Sequence, residues 1–172
     1  MLTCAGMLEG KEVTWFPSYG AEIRGGTANC TVIFSDEFIG SPIVANPDAL
    51  IVMNDASLNK FLPRLKKGGL FLFDSSLIKQ PRLRNDVESV AVPATEIAVG
   101  IGSTKSANMV LLGAFIGKTG VIALASVFEA LSNSMFGRQK KGADSDNKIA
   151  ISEGARYIEN KKSKDIRPQT CS

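Results

Sequence analysis

Short apolar runs recur through the first half of the chain and predict β-strands. Leu50–Met53 and Leu70–Phe73 are continuously apolar, which is typical of strands buried on both faces of a sheet. Three more runs predict strands at Glu12–Phe16, Cys30–Phe34 and Val87–Val92, and Pro93 ends the last of them.

An amphipathic stretch between the two buried runs predicts a helix. Its apolar residues recur at i, i+3, i+4 and i+7: Leu58, Phe61, Leu62 and Leu65. Asp55 or Ser57 would cap its start, and Gly68-Gly69 would end it. Strand, helix, glycine stop and strand form one βαβ unit, which requires parallel strands and a right-handed crossover.

The second half of the chain predicts three helices. The first, around Ala107–Ile116, is apolar nearly all round, so we expect it to be buried within the domain or against a partner. The second runs from Leu124 towards Met135, with Gly137 as its stop, and a polar linker is predicted over Gly142–Asn147. In the last helix Gly154 should cost about 1 kcal/mol.

Composition narrows the chemistry that the chain can perform alone. The 172 residues have a formal charge of +3 and no basic stripe, which argues against a nucleic-acid partner. There is no histidine, so serine–histidine and cysteine–histidine nucleophile systems are excluded. The three cysteines are far apart in sequence and form no metal-binding spacing, and without a signal-peptide pattern we expect a reducing cytoplasm.

Two nucleotide-binding motifs are incomplete. Gly117-Lys118-Thr119 resembles the end of a phosphate-binding loop, but the position that needs the first glycine is Leu112. Gly100-Ile101-Gly102 begins like a dinucleotide fingerprint, and its third glycine position is occupied by Lys105.

One stretch, Trp15–Cys30, is unusual. A predicted strand enters a turn with Ser18, Tyr19 and Gly20, and a second strand follows Gly25-Gly26. We expect the polar side chains of this loop to lie in the binding crevice at the carboxyl ends of parallel strands. Taken alone, however, the residues favour a structural loop with an internal contact, either an ion pair between Glu22 and Arg24 or a contact of the arginine with the backbone.

The segment Trp15–Cys30 also resembles the signature of the gamma subunits of 2-oxoacid:ferredoxin oxidoreductases. The similarity continues through Ile39–Val44, Pro47–Asn54, Pro93–Ala98 and Ala107–Ala114, and it covers residues 7 to about 135. These pieces occur in the family's order, so the match as a whole is far more specific than any one of them.

The resemblance implies an α/β fold, an open mostly parallel sheet flanked by helices in a Rossmann-like three-layer arrangement. It assigns residues 1–160 to a single gamma-type domain and 161–172 to a polar tail. The family opens with a strand and a glycine-rich turn that have no counterpart here, so we expect the first strand and the start of the first helix to be missing. This form should then be marginally stable alone.

The resemblance further implies a supporting role in a complex that converts a 2-oxo acid and coenzyme A into acyl-CoA, carbon dioxide and reduced ferredoxin. Thiamine diphosphate, Mg²⁺ and [4Fe–4S] clusters would be held by the alpha, beta and ferredoxin-like delta subunits, and none by this chain alone. The resemblance of the sequence Trp15–Gly20 favours 2-oxoglutarate over pyruvate, branched-chain or arylpyruvate substrates. The loop expected to face a partner or coenzyme A comprises Ser18, Tyr19, Gly20, Glu22, Arg24, Gly25 and Gly26.

Two other functional classes remain open at this point. The chain would be a free-standing α/β small-molecule binding module if it were a monomer that binds a ligand without partners. It would be a complete enzyme only if it turned over a 2-oxo acid unaided, and it offers no nucleophile–base pair for that.

Overall fold

The computed structural model describes residues 1–18, 27–132 and 143–165. The strands in these ranges are β1 (Glu12–Ser18), β2 (Asn29–Ser35), β3 (Ala49–Val52), β4 (Leu70–Asp74) and β5 (Glu88–Val92). The helices are α1 (Leu2–Leu8), α2 (Asp55–Phe61), α3 (Ala94–Gly100), α4 (Ala107–Thr119), α5 (Leu124–Ser132) and α6 (Ala143–Asp165). Two 3₁₀ turns, Leu62–Arg64 and Thr104–Ser106, precede β4 and α4.

The centre of the fold is a three-stranded parallel sheet in the order β3-β4-β5. Leu50 lies opposite Phe71, which in turn lies opposite Ser89. This confirms the predicted βαβ unit and the expected α/β class. Asn54 caps α2, not Asp55 or Ser57, because its Oδ1 accepts a hydrogen bond from the Ser57 backbone N–H at 2.8 Å. The helix ends at Phe61 and its 3₁₀ extension at Arg64, so the expected stop at Gly68-Gly69 is wrong; Gly68 (φ +73°) instead makes the turn that enters β4.

Helices cover both faces of this sheet. On one face α2 and the 3₁₀ turn bury Leu58, Leu62 and Leu65 against Phe71 and Phe73. On the other face α3, α4 and α6 pack against a second set of buried strand residues: Leu72, Val90 and Val92. The alternation of Phe71, Leu72 and Phe73 between these two cores explains why β4 is continuously apolar.

The crossing of α4 and α6 is close enough to require glycine. A methyl group added to Gly113 would collide with the carbonyl oxygen of Ile151, and one added to Gly154 would collide with the carbonyl oxygen of Val110. Gly154 is therefore a packing residue and not only a weak point of the last helix. It allows two backbones to touch, which closes the buried layer over α4.

The first two strands form a separate antiparallel hairpin, with Trp15 opposite Val32. Only ten residues connect β1 to β2, fewer than the dozen or more that a parallel crossover needs. Phe34 of this hairpin joins a third core with α1, α5 and the ends of α4 and α6, where Ala5 and Val127 are buried.

The last helix differs from the prediction at both ends. It begins at Ala143, so the polar linker expected over Gly142–Asn147 is wrong for Ala143–Asn147. Ser106 donates a hydrogen bond to Asn147 (3.4 Å) and Lys148 donates one to Ser132 (2.8 Å), which attach this polar first part to α4 and α5. The helix continues to Asp165, into the stretch predicted as tail.

Candidate partner interface

The predicted loop begins at Ser18, the exposed last residue of β1. The other candidates, Tyr19, Gly20, Glu22, Arg24, Gly25 and Gly26, lie outside the described residues. The expected Glu22–Arg24 ion pair lies outside them as well.

The flanks of this loop place it differently from the sequence expectation. The loop joins two antiparallel strands and does not follow a strand of the parallel sheet. Thr27, on its far side, accepts a hydrogen bond from Lys60 Nζ at 2.9 Å. Lys60 is in the last turn of α2, which leads back to the amino end of β4. The expectation that this loop follows a strand of the parallel sheet is therefore wrong, while its place in a binding crevice stays a prediction.

The carboxyl edge of the parallel sheet is occupied by internal hydrogen bonds. Asp74, at the end of β4, has 0% exposure. Its carboxylate accepts hydrogen bonds from the Ser76 backbone N–H (2.9 Å) and from the Thr95 backbone N–H (3.2 Å) and hydroxyl (2.5 Å). Because Thr95 lies in the first turn of α3, the carboxylate ties this helix start to β4 and is favoured there by the helix dipole.

The hairpin exposes aromatic side chains on both of its faces. Val13 and Phe34 are cross-strand partners, and both lie against Gly6 of α1. Trp15 is two residues beyond Val13 on the same face, where it is 55% exposed. Phe16, on the opposite face, is 47% exposed.

No residue of β1 or β2 is buried in the described structure. An isolated two-stranded ribbon is at best marginally stable in water, and α1 covers only its base. The segment after β2 adds Phe38 and Ile43, which are 87% and 74% exposed. Large apolar side chains exposed to this extent, on and beside a ribbon without buried residues, make this part of the molecule a candidate for coverage by another protein. Adjacent Trp15 and Phe16 were the sequence signal for it, since neighbours in a strand face opposite ways.

One carboxylate adds a polar link to the apolar contacts beneath this hairpin. Glu9, just after α1, accepts a hydrogen bond from the Ala123 backbone N–H at 2.7 Å, at the start of α5. Hydrogen bonds from the Ser126 side chain and the Ala123 backbone lower the pKa of Glu9. The ionised carboxylate thus fastens α1, on which Val13 and Phe34 rest, to α5.

The donor set of the described residues does not form a metal site. No group of three or more histidine, cysteine, aspartate or glutamate side chains is brought together within residues 1–18, 27–132 and 143–165. Cys4 lies in α1 and Cys30 in β2, and both are free thiols. Among the helices that the structure describes, none is long and apolar enough to cross a membrane.

Comparison with curated proteins gives relatives named as subunits of ketoisovalerate, 2-oxoglutarate and combined pyruvate/ketoisovalerate oxidoreductases. The ketoisovalerate oxidoreductase subunit VorA of Methanothermobacter thermautotrophicus is 38% identical over 141 residues, which are 81% of this chain and 29% of that protein. The 2-oxoglutarate synthase subunit KorC of Methanothermobacter marburgensis is 32% identical over 160 residues, covering 90% of this chain and 84% of KorC. The chain thus spans less than a third of VorA and most of KorC.

Solved structures with the same fold come from related oxidoreductases. The gamma subunit of a keto/oxoacid ferredoxin oxidoreductase from Geobacter sulfurreducens superposes with a TM-score of 0.76 at 27% identity, over 92% of this chain and 88% of that one. The 2-oxoglutarate:ferredoxin oxidoreductase from Magnetococcus marinus shares the fold (TM-score 0.80, 24% identity) over 91% of this chain and 27% of that one.

The family pattern described as pyruvate ferredoxin/flavodoxin oxidoreductase matches residues 1–157. This match covers both the parallel sheet and the hairpin, together with the start of α6 that closes over α4. The family resemblance seen in the sequence is confirmed, and the chain belongs to the pyruvate ferredoxin/flavodoxin oxidoreductase family.

Proposed function

We propose that this chain is the gamma-type subunit of a 2-oxoacid:ferredoxin oxidoreductase and that it acts only within the assembled complex. The complex would convert a 2-oxo acid, coenzyme A and oxidised ferredoxin into acyl-CoA, carbon dioxide and reduced ferredoxin. The observation that carries the proposal is the hairpin β1–β2, whose aromatic residues Trp15 and Phe16 are exposed on opposite faces. A ribbon of this kind needs a partner on each face if its apolar side chains are to be buried away from water.

The difference in length among the relatives supports this role. KorC is a separate subunit of nearly the same size, whereas the matching part of VorA is fused to more than twice its own length of polypeptide. We infer that the domain contacts the same neighbours whether it is fused or separate. We propose that alpha, beta and ferredoxin-like delta subunits are these neighbours, in the cytoplasm.

The reactive groups of the reaction belong, in this proposal, to the companions. Thiamine diphosphate with Mg²⁺ would supply the carbanion chemistry, and [4Fe–4S] clusters would carry the electrons to ferredoxin. The described residues do not offer the four thiolates that a cluster needs. The work of this chain is to hold the companions in their relative positions and to exclude water at the surfaces that it covers.

The preferred substrate is 2-oxoglutarate, because the KorC relatives match this chain over most of their length. A branched-chain 2-oxo acid is the second candidate, since the VorA relatives reach the higher identity of 38%. Purified complex assayed with both substrates would separate the two, and a higher kcat/KM for 2-oxoisovalerate would replace the first candidate by the second.

The assembly role is tested by substitution of the exposed tryptophan. Trp15→Ser should weaken association with the companion subunits by at least about 30-fold, the cost of losing a central aromatic anchor. Val99→Ser is the matched control, because Val99 has the same 55% exposure on α3, away from the hairpin. Equal affinity of Trp15→Ser and wild type, measured by titrating the purified subunits, would refute the proposal.

We also propose that the loop Ser18–Gly26 faces a partner subunit or coenzyme A. Its described flanks support this, since Ser18 is exposed and Thr27 is held by a hydrogen bond from Lys60 of α2. Arg24→Ala should reduce assembly or raise the apparent KM for coenzyme A. Unchanged assembly together with unchanged kinetics would remove the loop from the proposal.

A further inference from the structure

A groove of about 420 Å³ runs along the face of the molecule between α2 and the connection from β4 to β5. Leu58 and Leu62 form its apolar floor, with Pro63 at one side. Arg82 and Arg84, from the β4–β5 connection, line the other side. The groove therefore combines an apolar base with a cationic wall.

The shape of the cationic wall is fixed by Arg84. Its Nη1 donates hydrogen bonds to the carbonyl oxygens of Leu62 (3.0 Å) and Leu65 (2.8 Å). Its Nε and Nη2 donate to the two carboxylate oxygens of Asp86 at 2.8 and 2.6 Å. The bonds to the two carbonyl oxygens hold the connection against the end of α2, and the bidentate pair with Asp86 fixes the orientation of the guanidinium, so the groove exists before anything binds.

The segments that border the groove carry an excess of positive charge. Residues 55–86 contain seven lysines and arginines and three carboxylates. Two carboxylates are already engaged, Asp74 in the buried contact with Thr95 and Asp86 in the pair with Arg84, and Asp55 lies in the first turn of α2. Arg82 is exposed, and it has no ion pair with any carboxylate of the described residues.

We propose that this groove docks an acidic segment of another polypeptide, with an apolar side chain on Leu58 and Leu62 and a carboxylate on Arg82. A small phosphate-bearing ligand fits less well, because phosphate recognition uses converging donors and those of Arg84 are committed to Asp86 and to backbone carbonyls. An extended acidic segment fits better, because its carboxylates are spaced along the chain and can pair with positive charges that are also spaced apart. This inference does not depend on the redox activity of the assembly.

The probe is a synthetic twelve-residue peptide with six aspartate or glutamate residues and two leucines placed four residues apart. Titration into the ¹⁵N-labelled chain should give saturable chemical-shift changes at Leu58, Asn59 and Leu62. The affinity should fall at least tenfold between 50 and 200 mM salt. No saturable change at 50 mM salt would overturn the proposal.

Two variants separate a groove from general attraction between opposite charges. Arg82→Glu and Lys105→Glu change the net charge equally, and Lys105 is an exposed residue of the turn before α4, outside the groove. Arg82→Glu should weaken peptide binding at least tenfold more than Lys105→Glu, and both variants should keep the wild-type melting temperature. Equal weakening by the two variants would overturn the proposal.

The peptide's leucines and a competing anion test the nature of the occupant. Replacement of both leucines by serine should weaken binding at least tenfold, and inorganic pyrophosphate at matched ionic strength should not compete. Retention of affinity by the serine peptide, or competition by pyrophosphate, would identify a small-anion site and overturn the docking of a polypeptide segment.

Discussion

The crossing of α4 and α6 makes the sharpest prediction for stability. Gly154→Ala places a methyl group on the carbonyl oxygen of Val110, and Ala114 N is only 2.9 Å from the same position. Neither is the end of a flexible side chain, so two helices must separate. Overpacking of this kind costs about 1–3 kcal/mol or more, and the upper end applies where both contacts are backbone.

Helix propensity acts in the opposite direction. Alanine is favoured over glycine in a helix interior by about 1 kcal/mol, so the net loss for Gly154→Ala should be about 2 kcal/mol. For a domain of this size that lowers the melting temperature by about 4–8 °C. Guanidinium unfolding followed by far-UV circular dichroism, with the slope m compared between variants, measures it directly.

Other glycines of the chain provide graded controls. Gly100→Ala, at the end of α3, meets no other atom within 4 Å and should be neutral or slightly stabilising. Gly117→Ala, where the nearest atom is Ala155 Cα at 3.1 Å, should fall between the two. A Gly154→Ala protein as stable as wild type, or more stable by the propensity difference, would refute the close-contact explanation.

Three further substitutions test other contacts. Glu9→Gln should lower the unfolding free energy at pH values above 4.5, the ordinary pKa of a glutamate. The difference from wild type should shrink as the pH falls through the lowered pKa of Glu9 in the folded protein, and a difference that grows on acidification would contradict this. Thr95→Val should cost about 1–3 kcal/mol by leaving Asp74 short of a donor, whereas Thr95→Ser should cost much less; equal losses would exclude the hydroxyl as the cause. Lys118→Ala should change the unfolding free energy by less than about 1 kcal/mol, although Lys118 pairs with Glu88, and a larger loss would show that the pair is not an ordinary surface one.

The parallel sheet could be predicted because its signals are local. Phe71–Phe73 are buried, with side chains on both faces of the sheet, so β4 is apolar without interruption, and the helix before it shows its buried face directly. Leu50–Met53 is equally apolar, but β3 lies at the edge of the described sheet and Ile51 is 38% exposed, so its expected burial on both faces is wrong. The cap was misassigned by a single residue, since Asn54, Asp55 and Ser57 are all suitable side chains and only the backbone geometry selects one.

The hairpin and the last helix were harder for a physical reason. Pairing of β1 with β2 is decided by the length of their connection, not by the composition of either strand. The start of α6 carries polar residues because it lies on the surface, and its hydrogen bonds to Ser106 and Ser132 come from distant parts of the chain. From the sequence alone Gly154 only weakens its helix, and its role in packing depends on contact with Val110 of the neighbouring helix α4.

The dependence of α4 on α6 also sets the order in which the domain is completed during translation. The apolar residues of α4 leave the ribosome well before Ala150, Ile151 and Ile158, which cover them. A nascent chain that has reached Ser132 has all five strands, but the apolar surface that α6 covers is still open to water. Apolar surface that is transiently exposed in this way promotes aggregation and recruits chaperones. Closure therefore waits until residues 143–158 have been made, and a pause between residues 132 and 158 leaves a nascent form that is prone to associate with other chains.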